Sequence, residues 1–154
     1  MSSYITPDRS PAPYIDPAPE TTQPPVPEVG ATSAPLKSAA FFIGAHCKDY
    51  NDDFMLCKAE NRDPAHCLKE GRRVTRCAID LLEKLQQNCA NEWKAHWECL
   101  DNRNYEYYRC RPQERTLNSC VFNKLGLKKA IPGTPEGQTP IHEVRNPIFK
   151  NVQK

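Results

Sequence analysis

Residues 47–57 read CKDYNDDFMLC, and the nine-residue gap between the two cysteines decides the fold. Ten residues of α-helix rise ~15 Å and leave the second side chain within about 80° of the first. Both sulfurs of a helical C-x9-C stretch therefore face one partner, three turns apart. The spacing recurs at 67–77, at 89–99 (CANEWKAHWEC) and at 110–120 (CRPQERTLNSC), so all eight cysteines fall into four such pairs. Two such helices laid antiparallel match their sulfurs as two rungs. The first cysteine of one helix meets the last of the other. This predicts Cys47–Cys77 with Cys57–Cys67, and Cys89–Cys120 with Cys99–Cys110. Four cysteines admit three connectivities, and the antiparallel arrangement selects this one.

The residues between the cysteines support two helical hairpins. Asp63-Pro64 reads as an N-cap followed by proline at the first helical position, which puts the first turn at residues 60–63. Val74, Cys77, Ala78, Leu81, Leu82 and Leu85 then recur at three-and-four spacing, predicting a helix that ends near 86–88. A third helix carries Trp93, Trp97 and Leu100, residues 101–104 form the second turn, and a fourth helix carries Leu117, Cys120, Val121 and Leu125. A short apolar helix over LKSAAFFIGAHC leads into the first hairpin. The chain is read as all-α: a first hairpin with its leading helix at 37–88 and a second at 89–125.

Nine of the 15 prolines lie in the first 35 residues, with few apolar side chains between them. Residues 1–36 therefore read as an extended arm. Residues 126–154, rich in proline and glycine, read as an extended, solvated basic tail. The core that remains is below 90 residues, a size that usually needs staples. Each disulfide rung contributes ~3 kcal/mol by loop-closure entropy.

Charge gives no sign of nucleic acid. Residues 1–36 carry a net −3 and residues 121–154 a net +4 within a total of +2. No run of about 18 apolar residues is present to span a bilayer. Residues 1–20 have neither the basic and apolar regions of a secretory signal nor the Arg-rich amphipathic pattern of a matrix transit peptide. Regular cysteine pairs nevertheless call for an oxidising compartment. The C-x2-4-C pairs favoured by zinc and the C-x-x-C of dithiol enzymes are missing. His46 and His66, each directly before a cysteine, are read as ordinary hairpin residues, and His96 and His142 have no identifiable partner. No phosphate loop, nucleophile elbow or carboxylate pair stands out, so no catalytic, cofactor or metal site is assigned. Two-helix hairpins are too thin to hide every aromatic. Phe41, Phe42, Trp93, Trp97, Tyr105, Tyr107 and Tyr108 are therefore candidates for a docking surface.

Four C-x9-C motifs arranged as two hairpins resemble the twin C-x9-C (CHCH) family of the mitochondrial intermembrane space. The tandem, with the words GAHC, FMLC, DPAHCLKEG and CAID, resembles the PGIV-type accessory-subunit family of respiratory complex I over residues 44–125. The resemblance implies import without a cleaved signal, with oxidation by an intermembrane-space disulfide relay. It also implies a non-catalytic clamp, without cofactor, peripheral to the inner membrane and bound to membrane-arm subunits. Cys47 and Cys89 are the candidate docking thiols for the relay, because aromatic residues follow each on its own helical face. A free assembly factor or chaperone of the same hairpin class is the alternative, and a secreted disulfide-rich module the third reading.

Overall fold

The computed structural model describes residues 26–144, which hold four α-helices, one 3-10 turn and no strand. Helix α1 spans Ser33–His46, α2 Lys48–Glu60, α3 Leu68–Asp101 and α4 Arg111–Leu125, with a 3-10 turn at Tyr107–Cys110 before α4. Helices α2 and α3 form one antiparallel hairpin, and α3 and α4 form the second. Most of the proposed N-terminal arm and residues 145–154 lie outside the described residues.

The predicted helix end near residues 86–88 falls one residue later, at Cys89, whose φ of −133° and ψ of 34° are not helical, so that α3 consists of two helical arms joined at a kink. Buried Leu81, Leu82 and Leu85 before the kink and Trp93 after it share one core, which holds the two arms together. The start of α3 also differs from its sequence reading. Asp63 caps a single turn: its Oδ1 accepts from the Ala65 amide at 3.3 Å and its carbonyl accepts from the His66 amide at 3.1 Å. The helix proper begins only after Cys67. Pro64 starts this turn, and the Cys67 backbone (φ −109°, ψ 24°) breaks it from the helix that follows.

Cys67 and Cys89 illustrate a rule that runs through the chain. The first cysteine of every C-x9-C motif has nearly the same backbone: Cys47 (−101°, 19°), Cys67 (−109°, 24°), Cys89 (−133°, 34°) and Cys110 (−117°, 24°). These lie near the bridge region, which bends a chain without breaking its path. All four are at most 1 % exposed. The repeat in sequence is thus a repeat of bend plus helix.

The core lies on one side of the molecule. Ala39 and Phe42 of α1 meet Leu81, Leu82, Leu85, Cys89 and Trp93 of α3 and Leu117, Cys120 and Val121 of α4. Fully burying a Leu, Val or Phe side chain contributes ~1.5–3 kcal/mol. The leading helix α1 therefore packs over the second hairpin as well as along α3, as the Phe42–Phe122 ring contact shows. Helix α2 is the opposite case and buries none of its residues. Its attachment to α3 relies on two disulfides and on Phe54, whose ring lies against Gly71. Helix α4 ends at Gly126, whose φ of 64° is the left-handed C-terminal geometry that glycine adopts without penalty.

Candidate functional site

Two features dominate the described surface and interior: the sulfur ladder and a buried charge cluster under the second hairpin. The ladder consists of Cys47–Cys77, Cys57–Cys67, Cys89–Cys120 and Cys99–Cys110. Their Cα–Cα distances of 5.9–6.0 Å lie within the span that a disulfide bridges. The outer bonds close loops of 30 and 31 residues, the inner ones loops of 10 and 11.

The charge cluster is built from three elements. Glu114, in the first turn of α4, is fully buried. Arg111 pairs with its Oε2, and Lys129, arriving from the segment after α4, donates to its Oε1 at 2.7 Å. The Lys129 side chain is 1 % exposed. Its ammonium lies 5.1 Å from the Phe41 ring centroid, 5.4 Å from Phe42 and 5.7 Å from Tyr107. Three ring faces and one carboxylate thus surround one cation, a favourable arrangement for an ammonium removed from water. Burial lowers the Lys129 pKa, and Glu114 opposes that shift. The reading of the basic tail as wholly solvated is corrected at this residue. Nearby His142, also buried, is held below the usual histidine range, first by burial and then by the Lys129 charge.

His96, on α3, is also in the interior. Its Nδ1 lies 2.6 Å from Ser38 Oγ of α1, and burial pushes its pKa down to about 4. The Tyr107 ring packs on it at 5.7 Å, and Tyr107 donates its hydroxyl to the Lys37 carbonyl. Glu114 is held by two cations and Tyr107 by the α1 backbone, while His96 is bonded at Nδ1 by Ser38 and its buried Nε2 has no hydrogen-bond partner.

The seven candidate aromatic residues divide clearly. Phe42 and Trp93 are core residues, and Trp97 packs partly buried against that core. Phe41 makes an edge contact with Tyr107 at 5.6 Å. Tyr105, at a positive φ of 60°, reaches Ser33 and Asp101 with its hydroxyl. Tyr108 alone of the seven is broadly exposed, at 63 %. Other outward apolar side chains are Tyr50, Met55 and Leu56 on α2, Phe122 on α4, and Ile141 and Val144 beyond the second hairpin. Met55 and Leu56 immediately precede the second cysteine of their motif and were not among the sequence candidates. Among the described residues no helix is long and apolar enough to cross a membrane.

Two antiparallel helical hairpins, each stapled by two disulfides between C-x9-C motifs, define this chain as a tandem CHCH protein. No protein-family model matches it. It is 53 % identical over 128 residues to the NADH-ubiquinone oxidoreductase 20.8 kDa subunit of Neurospora crassa, a match covering 82 % of this chain and 70 % of that one. Two Arabidopsis thaliana proteins, NADH dehydrogenase [ubiquinone] 1 alpha subcomplex subunits 8-A and 8-B, are 37 % and 36 % identical over 86 residues. Those matches cover 56 % of this chain and 80 % and 81 % of theirs. The chain belongs to the family of these NADH–ubiquinone oxidoreductase subunits.

Proposed function

We propose that this protein is a non-catalytic accessory subunit of mitochondrial NADH:ubiquinone oxidoreductase, complex I, needed for assembly or stability of the membrane arm. The observation that carries this reading is the 53 % identity to the Neurospora subunit over 82 % of the chain, well beyond the cysteine motifs alone. The interior supports a structural role, since its buried carboxylate Glu114 is held between Arg111 and Lys129 and its buried His96 bonds Ser38. The disulfides need an oxidising environment, which favours the intermembrane-space face of the inner membrane. There the protein binds membrane-arm subunits peripherally, after oxidation by the disulfide relay of that compartment through Cys47 or Cys89.

A deletion strain tests the reading by native gel electrophoresis with in-gel NADH oxidation. The expected result is less full-size complex, with partial membrane-arm assemblies accumulating. Full-size complex at normal abundance with quinone reduction lost would assign the protein a direct catalytic part instead.

A further inference from the structure

The turn between α2 and α3 gathers a donor set that its spacing along the chain conceals. Cys57, His66 and Cys67 each offer a ligand atom, and these atoms lie within 4.8 Å of one another. Glu70 Oε2 stands 3.8 Å from Cys57 Sγ, and Glu60 Oε2 stands 4.0 Å from His66 Nε2. The nine residues between the cysteines hide the site in a spacing search, because the hairpin turn and not the local chain brings the sulfurs together.

In the closed disulfide each sulfur is bonded to the other, and the set cannot chelate. Before closure the same positions hold two thiols, an imidazole and a carboxylate. We propose that the reduced chain binds one Zn2+ at this turn, through Cys57, Cys67, His66 and Glu70, and releases it when the Cys57–Cys67 disulfide forms. Two thiolates, one imidazole and one carboxylate suit a tetrahedral zinc ion.

The chemistry balances. Binding converts two thiols into zinc-bound thiolates and releases two protons. Closure by a protein disulfide then passes two electrons to that oxidant, which takes up two protons and becomes a dithiol. The Cys57–Cys67 bond forms and Zn2+ departs.

Two side-chain bonds shape the turn itself, and in the reduced chain the ion takes the place of the disulfide in holding α2 to α3 there. Asn61 Oδ1 accepts from the Asp63 amide at 2.9 Å, and Asp63 Oδ1 accepts from the Ala65 amide at 3.3 Å. Residues 61–66 are exposed, which leaves the ion a path in and out. His46 provides an internal control. It too precedes a cysteine, yet its Nε2 lies 3.4 Å from Asp80 and it joins no such group among the described residues.

The test uses the full chain, fully reduced and kept anaerobic, titrated with Co2+ and then Zn2+. One tight equivalent is expected, with the visible absorption of tetrahedral cobalt and thiolate charge-transfer bands, bleached by zinc. The C57S/C67S double variant should lose that equivalent. H66A should weaken it by at least ~10-fold, the smaller end of what even an outer-shell loss costs, while H46A leaves it unchanged. Zinc should also slow closure of Cys57–Cys67 relative to the other three bonds, followed by mass spectrometry of alkylated peptides. An octahedral cobalt spectrum, or H66A and C57S/C67S binding as tightly as the unaltered chain, would overturn the site.

Discussion

Lys129 donates to Glu114 at 2.7 Å with both side chains 1 % exposed, so a residue beyond the last helix completes the charge balance of the helix before it. Removing Lys129 leaves the buried carboxylate to Arg111 alone. K129A should therefore cost up to ~3 kcal/mol, the lower end for a buried charge left with no partner. R111A/K129A, which leaves Glu114 with neither cation, should cost more, ~3–5 kcal/mol. Guanidinium denaturation of the oxidised chains measures both. A K129A chain as stable as the unaltered protein would mean that the segment after α4 does not sit on the hairpin in solution.

His96 makes stability depend on pH. Its pKa falls from 6.5 when unfolded to about 4 in the fold, burial being the main cause. Between those values the unfolded chain binds the proton and the folded chain does not, so stability rises with pH. The contribution is fully present above about pH 6.5 and is lost progressively as pH falls towards 4, a loss of ~3 kcal/mol at most. Thermal melts from pH 7 to 4 should show this slope. H96Q, which does not titrate, should flatten it; an equal slope in H96Q would place the pH dependence elsewhere.

His96 also shows how far the sequence could be read. Residues 93, 96, 97 and 100 share one helical face, so the stripe carrying Trp93, Trp97 and Leu100 already placed this histidine inward. The cysteine spacing carried the hairpins because sulfur pairing depends on helical period alone. The bend at Cys89 was legible as the end of an apolar stripe near residues 86–88, although the chain offers no glycine or proline there; its recurrence at Cys47, Cys67 and Cys110 was not. Lys129 could not be found. A lone lysine among turn residues has no periodicity, and its burial depends on rings supplied from α1 and from the 3-10 turn. A left-handed glycine at 126 followed by Leu127 and Ile131 was the one hint that the chain folds back.

The two hairpins should respond differently to loss of a rung. By loop closure alone, Cys57–Cys67 contributes about 2.7 kcal/mol and Cys89–Cys120 about 3.7 kcal/mol. Packing widens the difference, because Cys89 and Cys120 belong to the core cluster whereas α2 buries nothing. C57S/C67S should speed amide exchange in residues 53–60 and leave α4 protected. C89S/C120S should lower the stability of α1, α3 and α4 together. Equal protection of α2 in both variants would show that it is held by more than its sulfurs.

Two helical glycines offer a stabilising test. A Cβ at Gly44 meets nothing within 4 Å, while one at Gly71 meets the Phe54 ring at 3.4 Å. Gly44→Ala should add up to about 1 kcal/mol through helix propensity. Gly71→Ala should add less, since the Phe54 ring must accommodate the new methyl. Urea midpoints decide it, and a larger gain at Gly71 would reverse the ranking.

The kink in α3 has a mechanical meaning. Residues 68–88 rise ~32 Å and residues 90–101 ~18 Å as helix. The longer arm carries a hairpin held mainly by its two disulfides, and the shorter arm a hairpin held by two disulfides and the shared core. Anything bound at one tip is thereby kept at a set reach from anything bound at the other, with a single flexure at Cys89 to set the angle. In a large assembly such a part behaves as a measuring bar between neighbours that do not touch one another.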